Sequence, residues 1–402
     1  MKTVSGETRS GVRIPLPPPE NRGWSPSGPE NRSDAKPSFY RPELDVLRFF
    51  AFFSVFVTHL GQAPLFANVP GTKGKLLHIY ALVLESGAFG MCIFFLLSAY
   101  LITELLIRER TSTGSVHLRA FYTRRILRIW PLYLGVVFAS YFIGLWLPSY
   151  RLSWKWVAAF VFFAGNWYTG RINYAPSSVA VLWSISIEEQ FYLLWPSVAK
   201  FGGIRALKIC AILTIPIGYG VLFYLCGKGV PMQPSLWTNS FIQFSFFGIG
   251  ALIALALHRR SILIPIPLRL LLFGGGVALW LMANQTFHVQ GVFYEARPWL
   301  VSCGFGLAAS GCIAIFFSLF GISPALLPPQ LIYLGKISYG LYVFHVPCRE
   351  LARWMLGATG FGQLFRPVLE IALTLLMATL SYRYFERPFL RLKARFEFVK
   401  TR

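Results

Sequence analysis

Residues 41–59 read Arg41-Pro42-Glu43-Leu44-Asp45-Val46-Leu47-Arg48-Phe49-Phe50-Ala51-Phe52-Phe53-Ser54-Val55-Phe56-Val57-Thr58-His59. The apolar run that starts at 46 continues to about 66, and about 20 mainly apolar residues suffice for a helix to cross a hydrocarbon core of ~30 Å. Its polar residues are not scattered. At 100° per residue Asp45, Arg48 and His59 fall within about 60° of one another on one face. A rise of 1.5 Å per residue sets His59 roughly 17 Å beyond Arg48, past the middle of a bilayer. Ionisable groups inside a span face a bundle interior or a wet cavity, so this face is a functional candidate. A neutral imidazole at that depth can take up a proton near neutral pH. The structural alternative is a histidine that hydrogen-bonds a neighbouring helix.

The rest of the chain repeats the pattern. Of 402 residues 55% are hydrophobic, 17% aromatic and only 13% charged, against about 25% charged in an ordinary soluble domain. Further apolar runs lie near 78–107, 126–147, 154–167, 183–201, 206–227, 240–257, 262–284, 298–320, 331–356 and 366–385. The formal net charge is +22, which in a soluble protein would suggest nucleic acid. Here the basic residues sit between apolar runs, where membrane topology accounts for them and no nucleic-acid partner is implied. Both ends of the chain are basic, which by the positive-inside rule makes both termini cytoplasmic and the number of spans even. The 154–167 run is too short to cross and reads as re-entrant or interfacial. The expected fold is therefore an all-α, polytopic transmembrane helix bundle in the cytoplasmic membrane, with about ten spans plus that one short segment. Residues 1–40, polar and proline-rich, read as a disordered cytoplasmic tail, residues 41–387 as the transmembrane domain, and residues 388–402 as a basic cytoplasmic tail. The six cysteines all lie in apolar stretches without metal-ligand or redox spacing, so no metal is expected.

Four more clusters place polar groups where lipid should be. Arg125 and Arg128, at i and i+3, present two guanidinium forks on one face, a geometry suited to phosphate oxygens, although topology alone also puts arginines there. Trp183-Ser184 opens a span whose Ser184, Glu188 and Tyr192 form one stripe; an ion pair with an intramembrane arginine is the structural alternative for its acids. The small pair Ser98-Ala99 permits close approach of another backbone, which suggests packing. Ser338, Tyr342 and His345 align at i, i+4 and i+7, and His345 falls near mid-membrane, where it could share a cavity with His59 or simply support the fold through hydrogen bonds.

Taken together, these motifs resemble the acyltransferase 3 family of integral-membrane acyltransferases over nearly the whole chain after residue 39. Arg41 to His59 is similar to its opening R-x-x-x-LD-x-LR segment with a closing histidine. Arg124-Arg125-x-x-Arg128 is similar to its R-x-x-R motif, and Trp183-Ser184 with Glu188, Phe191 and Tyr192 to WS-x-x-x-E-x-x-FY. Ser338-Tyr339 with Tyr342, His345 and Pro347 resembles SY-x-LY-x-x-H-x-P, and Glu386-Arg387-Pro388-Phe389 the closing ERPF. Ala99 departs from it, standing where the family usually has glycine, which puts close contacts of the second span in doubt. The sequence runs about 15 residues past its last span, so the extracytoplasmic hydrolase-like domain that some members carry is not expected here.

The resemblance implies transfer of an acyl group, usually from cytoplasmic acyl-CoA such as acetyl-CoA, to a hydroxyl of a carbohydrate, a lipid-linked sugar or another small acceptor, with no permanently bound cofactor. It implies that His59 is the catalytic histidine. The expected layout has Arg125 and Arg128, with Arg124 beside them, holding the CoA phosphates, and His59 acting as general base on the acceptor hydroxyl. Glu188 would orient His59 or the acceptor, and Asp45 and Arg48 would form a supporting ion pair. Trp183, Ser184, Tyr192, Ser98, Ser338, Tyr342 and His345 would line or brace the site. A covalent acyl-enzyme on Ser98 or Ser184 is the rival mechanism, disfavoured because neither has an obvious adjacent histidine in sequence. A transporter or flippase that lines its path with the same groups is the alternative from another class. The layout requires His59 and the Arg125–Arg128 pair to open into one hollow within the bundle.

Overall fold

A computed structural model describes residues 39–60, 75–176, 178–260, 262–290, 297–357 and 361–399. All but Phe39 and Tyr40 of the expected disordered tail therefore lie outside the described residues. Every regular element among the described residues is helical, as it must be where lipid offers no partner to backbone N–H and C=O groups. The longer helices are α1 (Pro42–Leu60), α2 (Lys75–Ser86), α3 (Gly90–Thr113), α4 (Leu118–Trp146), α7 (Trp183–Gly227), α8 (Ser240–Leu257), α9 (Ile266–Gln285), α10 (Pro298–Leu319), α12 (Ser338–Leu356) and α13 (Phe361–Leu380). Shorter ones are α5 (Trp154–Val161), α6 (Gly165–Ile172), α11 (Pro329–Lys336) and α14 (Arg387–Ala394).

Seven helical stretches among the described residues are long and apolar enough to cross a membrane. The expected ten spans are reached only by adding α1 and α12, which carry more ionisable groups, and by dividing α7. The division has a local cause: Gly203 sits at φ 69, ψ −162 inside α7 and breaks it into two limbs, a conformation open to glycine at little cost. The short run at 154–167 becomes two eight-residue helices, α5 and the start of α6, joined through Phe163 at φ 54. Neither is long enough to span. The 331–356 run is likewise interrupted, with Ile337 between α11 and α12.

The buried centre of the bundle is α3, packed against α1, α7, α8 and α10. Phe95, Leu96 and Cys92 on it are fully enclosed, and Phe95 stacks on Phe247 with ring centroids 4.9 Å apart. The close approach placed in doubt by Ala99 is supplied from the partner helix: a Cβ on Gly250 of α8 would collide with the carbonyl oxygen of Leu96, while Ala99 itself is fully buried. A second glycine contact ties α11 to α1, since a Cβ on Gly335 would collide with the carbonyl of Asp45. That contact fixes the height at which the ionisable end of α1 enters the bundle.

Candidate active site

The Asp45, Arg48 and His59 face of α1 is shared between two cavities at opposite ends of the helix. The first, of about 320 Å³, is lined by Asp45, Arg48, Ser98, Arg125, Arg128 and Tyr192 among others. Arg41, Arg124 and Lys393 also reach it, so its walls carry six cations against the carboxylates of Asp45, Glu109 and Glu397. An excess of positive charge in a low-dielectric cleft favours an anionic ligand. The cations are held differently. Arg48 Nη1 pairs with Asp45 Oδ1 at 2.9 Å, the ion pair expected from their spacing, and Tyr40 donates to Asp45 Oδ2 at 3.1 Å. Arg124 is tied on both terminal nitrogens, to Glu109 Oε2 at 2.8 Å and to the Phe396 carbonyl at 2.6 Å. Arg125 lies between the rings of Phe121 and Tyr192, 5.6 and 5.2 Å from their centroids, and makes no salt bridge to a described carboxylate. Arg128 lies 5.9 Å from the Tyr339 ring centroid. Arg125 and Arg128 thus face one cavity, and Arg124 lines it with its terminal nitrogens already occupied.

The second cavity, of about 780 Å³, is lined by Thr58, His59, Trp183, Tyr342 and Arg349 among others. His59 Nδ1 lies 2.8 Å from the Val55 carbonyl. Because a carbonyl only accepts, Nδ1 carries the hydrogen in this contact and Nε2 keeps its lone pair. His345 is held in the same way, Nδ1 at 2.5 Å from the Tyr342 carbonyl, and its buried Nε2 has no hydrogen-bond partner among the described residues. Tyr342 donates to the Val181 carbonyl at 2.6 Å, and its oxygen lies 2.7 Å from Ser184 Oγ. Ser184 is therefore bound to a tyrosine and a backbone carbonyl rather than to an imidazole.

The single hollow expected from sequence is not what the chain builds. No described residue lines both cavities. On α1 the walls change from Arg48 to Val55, and on α3 from Ser98 to Met91, a seven-residue step that at 1.5 Å per residue makes a partition roughly 10 Å thick. Side chains fill it. Phe94 meets the Tyr342 ring at 6.0 Å and Phe52 meets that of His345 at 6.1 Å, while Ser98 Oγ donates to Glu188 Oε1 and the Tyr192 hydroxyl to Oε2, both at 3.0 Å.

This arrangement also corrects the expected role of Glu188 in orienting His59. Both of its oxygens serve residues that line the arginine cavity, while the His59 ring is oriented by its own helix backbone. The neighbouring acid, Glu189, accepts from Trp130 Nε1 at 2.9 Å. Of the remaining expected residues, Trp183 and Tyr342 line the histidine cavity, Ser98 and Tyr192 the arginine cavity, and Ser184, Glu188 and His345 stand behind these walls. Ser338, buried at the start of α12, borders neither cavity.

Several lining residues carried no signal strong enough to single them out. Lys393 sits on α14, inside the stretch read as a tail, yet it lines the arginine cavity with Leu390 and Val399. Phe39 and Tyr40, assigned to the other tail, line the same cavity. Around the histidine cavity Glu85, Tyr174, Gln233, Trp237 and Gln290 come mostly from connections between helices, where periodicity says nothing.

Comparison with known proteins bears on this geometry. A family model described as an acyltransferase domain matches residues 41–383. The chain is similar to the peptidoglycan O-acetyltransferase OatA of Listeria monocytogenes, 28% identical over 379 residues, which is 87% of this chain and 56% of the relative. It is similar also to the O-acetyltransferase OatA of Staphylococcus aureus, 28% identical over 381 residues, 87% of this chain and 57% of the relative. The chain therefore spans a little over half the length of these curated relatives. No solved structure matches it.

Proposed function

The chain belongs to the acyltransferase-domain family matched across residues 41–383, and from that premise we propose that it is a multi-pass membrane O-acyltransferase. In this reading an acyl-CoA, acetyl-CoA in the simplest case, enters the arginine cavity from the cytoplasm, and the hydroxyl of a carbohydrate acceptor enters the histidine cavity from the other side. Family membership decides against the transporter alternative, although the two cavities keep the vectorial character that suggested it.

The observation that carries the proposal is the pair of complementary cavities: one rimmed by cations, the other holding an imidazole whose Nε2 keeps its lone pair because Nδ1 contacts the Val55 carbonyl. Arg125 and Arg128 bind the donor phosphates as bidentate forks. For the acyl-pantetheine arm to bring the thioester carbonyl toward His59, the side chains that fill the partition between Ser98 and Tyr342 must part on donor binding. His59 Nε2 takes the acceptor hydroxyl proton as the oxygen attacks that carbonyl, a general-base role worth about 10²- to 10⁴-fold. Collapse of the tetrahedral intermediate breaks the C–S bond. The thiolate leaves with a conjugate-acid pKa of about 8.5, so it needs little protonation, and the imidazolium returns its proton to the thiolate or to solvent. The hydrogen bonding of Ser184 Oγ with the Tyr342 hydroxyl and the Val181 carbonyl, rather than with an imidazole, supports direct transfer over a seryl intermediate at Ser184.

The proposal is tested by reconstituting the protein in vesicles with acetyl-CoA inside and measuring thiol release together with acetylation of an external sugar. Coupled release and acetylation are expected. Thiol release that proceeds equally without any acceptor would remove the transfer reading.

A further inference from the structure

The histidine cavity has a wall that the chemistry at His59 does not use. There the Tyr174 hydroxyl donates to Gln233 Oε1 at 2.6 Å, and Gln233 Nε2 donates to Gln290 Oε1 at 2.9 Å. The Gln290 backbone N–H donates to Asn284 Oδ1 at 3.1 Å, and Asn284 Nδ2 donates to Glu85 Oε2 at 2.9 Å. These bonds join the segment after α6, the segment after α7, the end of α9 and the end of α2 into one polar ladder. At its middle stands an unmet donor: Gln290 Nε2 is buried and has no hydrogen-bond partner among the described residues. Tyr174, Gln233, Gln290 and Glu85 all line the cavity, together with Trp183 and Trp237.

An orphaned amide N–H in a buried position calls for an explanation, because such groups are normally paired. A ligand oxygen is the one that fits here, since Gln290 lines a cavity large enough for one or two sugar rings. Its surroundings point the same way. The ladder fixes the Gln290 side chain through its oxygen, so its nitrogen is preorganised. Glu85, two links further along through Asn284, offers carboxylate oxygens as acceptors, and two indoles supply apolar surface for the carbon face of a pyranose.

Resting on the acyltransferase reading above, we propose that this ladder selects the acceptor: Gln290 Nε2 donates to a hydroxyl or carbonyl oxygen of a sugar unit whose hydroxyl or amide N–H is accepted by Glu85, and Gln233 holds Gln290 in place. Gln290 and Glu85 are specificity-determining residues, and Gln233 and Tyr174 position them.

Two probes differ only at C2 of each ring, N,N′-diacetylchitobiose with N-acetyl groups there and cellobiose with hydroxyls. Their binding to the full-length protein in detergent is measured by saturation-transfer NMR without donor, and their acetylation is measured in vesicles loaded with acetyl-CoA. The wild type is expected to bind at least one of them. Gln290→Leu and Gln290→Glu, which remove the N–H donors with and without a change of polarity, are each expected to raise the acceptor KM about tenfold, the size of one lost hydrogen bond. The donor KM, read in the same experiment, should stay within twofold and report that the protein is folded. Gln233→Leu, which frees Gln290, should give a smaller rise of the same kind. Failure of the wild type to bind either sugar, or an acceptor KM within twofold of wild type in all three variants, overturns the proposal. Sugar binding without acetylation leaves the ladder standing and removes the acyltransferase reading; acetylation that ignores the variants does the reverse.

Discussion

The imidazoles of His59 and His345 meet edge to face, their ring centroids 5.0 Å apart and their planes at 74°, each with Nδ1 against a backbone carbonyl of its own helix. One ring opens to a cavity. The other is 1% exposed and keeps a buried Nε2 with no partner among the described residues. A buried unsatisfied nitrogen costs about 1–3 kcal/mol, so its presence beside the candidate base is better explained by the reaction than by stability.

His345→Phe is therefore expected to preserve or raise the thermal midpoint in detergent, because an aromatic ring of similar size replaces an unpaired polar one, while lowering the transfer rate at least tenfold. Parallel melting curves and initial rates give both numbers. A variant that melts far below wild type would make His345 a fold residue only.

Arg125→Ala with Arg128→Ala is expected to raise the donor KM by about 100-fold or more, since hydrogen bonds to charged groups are worth about 1.5–3 kcal/mol each. The acceptor KM should stay nearly constant. An unchanged donor KM in the double variant would remove the phosphate-binding role of the arginine cavity.

Arg124→Ala should act differently from its neighbours. Its guanidinium already bonds Glu109 and the Phe396 carbonyl, so its loss should destabilise the attachment of the C-terminal segment and raise the donor KM only several-fold. A change as large as that of Arg125→Ala would show that Arg124 leaves those partners to bind donor.

Ser184→Ala is expected to retain transfer within about fivefold, because Ser184 donates within a hydrogen-bonded group that costs about 1 kcal/mol to disturb. Mass spectrometry of the intact protein under turnover should show no acylated serine. Loss of all activity in the variant, with an acyl adduct at Ser184 in the wild type, would establish the covalent route.

How much of this was readable beforehand follows from what lipid enforces. Spans were legible because hydrocarbon requires long apolar runs, and the single ionisable face of α1 followed from helical periodicity, with Asp45 and Arg48 paired as their spacing implied. The partition was not legible. Whether Phe94 lies at the height of Tyr342 or Phe52 at that of His345 depends on how helices distant in sequence are offset along the bundle, and glycine contacts such as Gly335 against Asp45 set that offset. The same blindness assigned Glu188 to His59: both lie on inward-facing stripes, but at different depths. Loop residues such as Tyr174, Gln233 and Gln290 have no period to read, and Lys393 was hidden by a basic stretch that topology alone explained.

The central claim is that His59, reached from the side opposite the donor, is the base that activates the acceptor. It is tested most directly by sealing isotopically labelled acetyl-CoA inside vesicles that carry either wild-type protein or His59→Ala, adding sugar outside, and counting label on the external sugar. The account predicts transfer by the wild type and a fall of at least 100-fold in the variant, with the donor KM unchanged. External labelling by His59→Ala at the wild-type rate would contradict it.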